Sequence, residues 1–327
     1  MIGIKVMKTL SVVFLLGILA ILFAGCMRSA GFRKDQDGSS YGDSPSYYGG
    51  KKTPSQRAET IGQPKKRVLV LSFWNDTPVK SGDYGNYAAD ELRRALFGTQ
   101  RMILPTDVKS DLNTSDMIQG DKVRVSQLIR EGRRLGVGVM IIGRISKIVF
   151  RQKGDDVGVF RQKQSFGAVD IEIKLFDITA GREIIATSKS GEASTSAMAF
   201  GDQTNLDTPE YRAELVRLSI RNAVGPLVGD VVRAVEKMAW EGRIAKLTGN
   251  KLYINAGRAS GLVGGDILKV MTLGDDVYDP SSGAFLGRSQ GQLKGTLEVV
   301  DFIGPDGAVC EIHTGGNFKE GDPVQLY

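Results

Sequence analysis

Apolar and polar positions divide the chain into four stretches of different character. Residues 10–23 are almost continuously apolar, whereas residues 27–66 are dominated by Gly, Ser, Tyr, Pro, Lys and Asp. From residue 67 the apolar positions come in longer periodic runs. From 239 onward the runs are short and separated by turn residues such as Thr248-Gly249-Asn250 and Gly264-Gly265-Asp266.

The third stretch predicts alternating strands and helices. "RVLVLSFWND" is a short apolar run bounded by Asn75-Asp76, the signature of a buried strand. "YGNYAADELRRALFG" places Tyr84, Ala88, Leu92, Ala95 and Leu96 on one helical face, with Gly98 as a stop. "QRMILPTDV" predicts a second short strand. Val125, Leu128, Ile129 and Leu135 form an apolar helix face ending at Gly136, and Val139 to Ile145 read as a strand. In "GAVDIEIKLFDITAGREIIATSKSG", Val169, Ile171, Ile173 and Leu175 alternate with Asp170, Glu172 and Lys174. That alternation predicts an antiparallel hairpin with one wet face, turning at Gly181. "TPEYRAELVRLSIRNAVGPLVGDVVRAVEKM" predicts a long helix with Leu215, Leu218, Leu227, Val231 and Val235 on its apolar side and a bend at Pro226. The fourth stretch, with a hairpin around Gly304-Pro305-Asp306-Gly307, predicts a small β-barrel or sandwich.

The first two stretches change the picture from fold to location. Lys5 and Lys8 precede the apolar run, and Ala24-Gly25-Cys26 follow it directly. A positive start, an apolar centre and small residues make an export signal. The run falls short of the ~20 residues that cross a bilayer as a helix. The stretch "LFAGC" resembles the bacterial lipoprotein signal, which implies that Cys26 is acylated and becomes the mature N-terminus. Phe23 departs from the leucine usual in that family. Several acyl chains on one sulfur anchor firmly where a single chain would be marginal. Residues 26–66 then form a flexible tether, because their composition cannot bury enough apolar surface to offset the entropy of ordering.

Charge and candidate chemistry add exclusions. The net charge of +6 comes partly from basic residues in the first 67 positions, a weak signal for nucleic acid. The second cysteine, Cys310, lies in the alternating segment "GAVCEIH" and reads as a small buried thiol. His313, the only histidine, reads as a strand residue. The chain shows no metal-ligand spacing, nucleophile elbow or Walker motif, so no catalytic, cofactor-binding or metal residue is assigned. The glycines of "LGVGVMIIG" close a helix and enter a strand, the reverse of a dinucleotide-binding loop. "INAGRASGLVGGD" reads as tight turns, with a backbone anion nest as the alternative. Asp155-Asp156 and Asp275-Asp276 read as solvated loop charge.

Three stretches in order, "RVLVLSFWNDT", "LIREGRRLGVGVMIIGRISKI" and "AVDIEIKLFDITAGREIIATSKSGEAS", resemble the curli production assembly/transport (CsgG) lipoprotein family over residues 67–236. The same core is similar to penicillin-binding-protein activator lipoproteins and to the N-terminal domain of TolB. The tail from "AWEGRIAKLTGNKLYINAGRASGLVGGD" resembles the C-terminal domain of the FlgT flagellar assembly family. The resemblance implies an α/β (α+β) sandwich with a mixed sheet, followed by a small all-β barrel. The expected organisation is a signal peptide at 1–25, a lipidated tether at 26–66, a CsgG-like domain at 67–238 and a FlgT-C-like domain at 239–327.

The expected role is a non-enzymatic scaffold, lipid-anchored through Cys26 in the outer membrane and facing the periplasm. It would serve flagellar basal-body or surface-appendage assembly by binding an envelope protein complex or its own copies, with no nucleic acid, cofactor or small-molecule substrate. A curli-type secretion channel and an activator of a peptidoglycan synthase are the alternatives. The channel reading needs lipid-facing apolar strands of ~9–11 residues. "KIVFRQKGDDVGVFRQKQSF" carries Arg151, Lys153, Arg161 and Lys163 instead.

Overall fold

A computed structural model describes residues 62–327 except 81, 107, 120–121, 155–160, 200–207 and 284. The expected signal peptide, Cys26 and almost all of the expected tether lie outside the described residues.

The first half is built on a mixed five-stranded sheet. Strands β1 (Val68–Val70) and β2 (Trp74–Asn75) both run parallel to β5 (Val139–Gly154). Strands β5, β6 (Arg161–Asp177) and β7 (Arg182–Ala199) form an antiparallel meander, giving the order β1-β5-β6-β7. A two-stranded ribbon, β3 (Ile118–Gln119) and β4 (Lys122–Val123), lies apart from it.

Helices cover both faces of the sheet where its strands are apolar on both sides. On one face, α1 (Tyr84–Thr99) and the long α4 (Pro209–Glu236) pack on Val139, Ile141, Ile145, Val169, Ile171, Ile173 and Leu175. On the other, α2 (Thr114–Met117) and α3 (Val125–Arg134) contribute Met117 and Leu128 to a core with Leu69, Leu71, Met140, Ile142 and Phe176. The unbroken run Val139-Met140-Ile141-Ile142 is thus what two buried faces require.

Beyond Ile145 the strand would turn Lys147 toward the helices if it kept its pleat. It does not, because Ser146 is an extra residue. Ile145 pairs with Ile171 and Lys147 with Asp170, leaving Ser146 as a bulge. The bulge returns Ile148 and Phe150 to the helix side and sends Lys147 outward.

Several expectations shift in detail. The predicted hairpin and the charged insert before it are one meander, with strands of 16, 17 and 18 residues. The "QRMILPTDV" strand reduces to a single bridge between Ile103 and Arg67. Helix α1 passes Gly98 and stops at Gln100, whose φ of 54° ends the helical hydrogen bonding. Helix α4 is capped by Thr208, whose hydroxyl accepts from Tyr211 N–H, and runs through Pro226 as one element. Residues 64–66, assigned from composition to the tether, pack on the folded body. Pro64 and Lys66 are buried there, and Lys65 N–H donates to Ser260 O at 2.8 Å.

The second half is a closed six-stranded barrel. Strands β8 (Gly242–Thr248), β9 (Lys251–Ile254), β10 (Ile267–Met271), β13 (Leu293–Ile303), β14 (Gly307–Gly315) and β15 (Pro323–Leu326) close in the order β10-β13-β14-β9-β8-β15. Its core includes Trp240, Ile244, Leu268, Val270, Leu297, Val299 and Cys310. Between β10 and β13 the chain leaves the barrel as a two-stranded arm, β11 (Asp276–Tyr278) and β12 (Phe285–Arg288). The arm reaches the sheet: Phe285 lies where a Cβ on Gly181 would be only 2.7 Å from its ring.

Candidate functional site

The surface best suited to recognition is the open half of the meander. The outer face of β5–β7 beyond Ile142 carries Lys147, Val149, Arg151 and Lys153 on β5. Their partners across β6 are Asp170, Ala168, Phe166 and Gln164. On β7, Ser190 lies beside Asp170, Glu192 beside Ala168 and Ser194 beside Phe166. A groove of about 560 Å³ runs over this face, lined by Lys147, Val149, Phe166, Ala168, Asp170 and Glu192 among others.

Charge is graded along the face. Near β1, Arg144 donates to Glu172 at 2.6 Å and lies 3.7 Å from Asp76. Lys147 faces Asp170 across the strands. Further out, among the described residues, Arg151 and Lys153 have Phe166 and Gln164 in register. The groove therefore passes from a neutralised end to a cationic one.

Its border is a sheet edge. Among the described residues β7 pairs with β6 alone. An 18-residue edge offers unpaired backbone groups to an added strand unless something blunts it.

Helix α4 holds this edge from behind through small residues. Gly191 lies so close that a Cβ there would be 2.1 Å from Ser219 O and 2.3 Å from Ala223 N. Ser219 is fully buried and its hydroxyl donates to Gly167 O at 3.0 Å. Asn222 Nδ2 donates to Glu192 O at 2.7 Å. Asp230 accepts from Thr187 Oγ1 and pairs with Lys189 Nζ, both at 3.2 Å. The Lys189 hydrogen bond is the largest of the influences that hold the Asp230 carboxyl below its ordinary range.

Residues singled out for chemistry lie elsewhere. His313 is exposed on β14, with Nδ1 at 3.2 Å from Thr296 Oγ1. Cys310 is buried in the barrel, and burial pushes its thiol up to about 12. Cys26 and Asp155-Asp156 fall outside the described residues. Among the described residues no three His, Cys, Asp or Glu side chains are grouped to hold a metal, and no helix is long and apolar enough to cross a membrane.

Two sequence expectations need correction. Asp276 is not free loop charge: it accepts from Arg288 Nε at 3.1 Å and Arg133 Nη2 at 3.4 Å. The "INAGRAS" turns do form a small anion cradle, and the chain fills it itself. Asp306 accepts from Gly257 N–H at 2.8 Å and from Ser260 N–H and Oγ, each at 2.9 Å. Both acids come from turn-rich segments whose composition matches solvated loops, so no local signal marked them. The Gly167 and Gly191 pair was findable as small residues in an otherwise regular strand pattern.

No family model and no curated protein matches the chain. The curli and flagellar resemblance therefore stays on the stretches that suggested it. Solved structures similar to about half of the chain include the hypothetical protein CT253 from Chlamydia trachomatis. It has 13% identity over 52% of this chain and 98% of that one, with a TM-score of 0.35. Lipoprotein GNA1162 from Neisseria meningitidis has 17% identity over 53% and 99%, with a TM-score of 0.25. The LpoB C-terminal domain from Escherichia coli has 16% identity over 42% and 90%, with a TM-score of 0.25.

Proposed function

We propose that this chain is a non-enzymatic lipoprotein, anchored by acyl chains on Cys26 in the outer membrane and facing the periplasm. There it acts as a scaffold in assembly of an envelope machine, most specifically a flagellar basal body or surface appendage. The observation that carries the reading is Ala24-Gly25-Cys26 at the end of the apolar run, ahead of a folded body. The open meander face and the β7 edge are consistent with it, since they suit a protein partner better than a small substrate.

The test has two parts. Mass spectrometry of the mature N-terminus reads the anchor, which is expected as an acylated Cys26. A photo-reactive residue at Ser190 then captures the partner in intact cells. A flagellar or appendage component, or a second copy of the chain, is the expected product. Capture of a peptidoglycan synthase would move the assignment to an activator of that enzyme, and stable conductance in planar bilayers would move it to a secretion channel. An unmodified Cys26 thiol would remove the anchor altogether.

A further inference from the structure

A second cavity lies on the helix side of the meander, between the first turns of α4 and the far ends of β5 and β6. It measures about 240 Å³ and is lined by Phe150, Gln152, Ser165, Tyr211, Arg212 and Leu215, with Arg151 and Phe166 at its strand side. Among the described residues two polar groups in this wall have no partner. Ser165 is 4% exposed and its Oγ makes no hydrogen bond, and neither does the buried Tyr211 hydroxyl. Buried hydroxyls are normally satisfied, because leaving one unpaired costs the desolvation it has already undergone. Two of them in one small cavity point to a ligand.

The lining decides which ligand. Among the described residues it contains the Arg212 guanidinium and no carboxylate, since the Arg151 side chain belongs to the outer face of β5. The Arg212 guanidinium is 5.9 Å from the centre of the Phe150 ring, close enough for a cation–π contact. Each hydroxyl can rotate to donate one proton, so together they suit an acceptor with two oxygens. Phe150 and Leu215 supply apolar wall beside those donors. The volume is below the roughly 300–1,000 Å³ of drug-sized sites, which limits an occupant to about one or two residues.

We infer that this cavity binds the free C-terminal carboxylate of a partner peptide that ends in an apolar residue. Ser165 and Tyr211 donate to the carboxylate, Arg212 supplies the positive field, and the terminal side chain lies against Phe150 and Leu215. This site is separate from the outer-face groove and does not depend on how the chain is anchored.

The experiment uses the full chain in detergent, titrated with N-acetyl-Ala-Leu and with the same dipeptide as its C-terminal amide. The free acid is expected to bind at least tenfold tighter than the amide. Ser165→Ala and Tyr211→Phe should each weaken the acid at least fivefold. Neither change should lower the Tm, since each removes a hydroxyl that is unpaired in the free protein. Equal binding of acid and amide, no binding of either, or preference for a neutral sugar oligomer would each overturn the assignment. So would a variant that melts earlier than the parent, because its hydroxyl would then be bonded without a ligand.

Discussion

Arg133, in the last turn of α3, places Nη2 3.4 Å from Oδ1 of Asp276, the first residue of the barrel's arm. The two are 143 positions apart and tie the sheet to the barrel. Arg288 shares the same carboxylate oxygen. Thr179 Oγ1 to Glu241, at 3.3 Å, and Asn255 Nδ2 to Gly136 O, at 3.4 Å, cross the same seam.

The seam should therefore behave as a coupled unit. A double-mutant cycle of Arg133→Ala and Asp276→Ala should show a coupling of about 0.5–1 kcal/mol, because the pair is only partly screened from water. Denaturant unfolding of the four proteins measures it. Strict additivity would mean that the arm does not hold the sheet through this pair.

Asp306 should matter more. Replacing it with Ala strips two backbone N–H groups and the Ser260 hydroxyl of their acceptor, and Ser260 is buried. The expected loss is about 2–4 kcal/mol. It is read as a fall in denaturant midpoint at unchanged slope. A loss no larger than that of an exposed carboxylate such as Asp301 would show that water replaces the acceptor.

The glycines under α4 separate packing from conformational freedom. Gly191→Ala must displace Ser219 O or Ala223 N and should cost about 1–3 kcal/mol or more. Gly229 lies in α4, where an added Cβ would meet only the flexible end of Arg233 at an ordinary 3.5 Å. Gly229→Ala should stabilise by about 0.4–1 kcal/mol. Thermal melts of the two variants should move in opposite directions.

Glu241 links the seam to pH. Burial raises its carboxyl above the ordinary range, against the pull of Arg243 and of hydrogen bonds from Thr179 and Gln325. Burial raises Asp177 in the same direction, against hydrogen bonds from Ala180 and Thr179 N–H. An acid raised in the folded state holds its proton where the unfolded chain has lost it. Its contribution is present at low pH and is lost as pH rises from the ordinary carboxylate value through the raised one. Stability should fall with rising pH across that window, and Glu241→Gln should remove part of the slope. Urea midpoints at closely spaced pH values test this. A slope unchanged by Glu241→Gln would exclude Glu241 as its source.

Cys310 offers a check on the barrel. Its thiol is fully buried and pushed up to about 12, so almost none is thiolate at neutral pH. A maleimide should leave the Cys310 peptide unlabelled in the folded protein and label it in denaturant, as read by peptide mass spectrometry. Rapid labelling without denaturant would mean that the barrel opens on its own.

Much of the architecture was legible along the chain. The alternation of Val169, Ile171, Ile173 and Leu175 announced a strand with one face inward, and those four residues are buried in the sheet core. The apolar stripe through Leu92 and Leu96 announced α1, and dense turn residues after 239 announced short strands that close as a barrel. These features are local, since a side chain's direction repeats every 2 or 3.6 residues whatever lies opposite.

What the periodicity left open was decided across distance. The pattern around Ile145 and Ile148 breaks its own alternation, and only pairing with β6 shows that a bulge at Ser146 resolves it. Asp276 and Asp306 look like loop charge until the arm and the barrel turn bring them to their donors. The groove and the Ser165–Tyr211 cavity likewise exist only because strands and helix from separate segments lie side by side. Read alone, the chain specified which residues turn inward. Chain folding decided which buried polar groups meet, because that depends on atoms dozens of positions apart reaching hydrogen-bond distance.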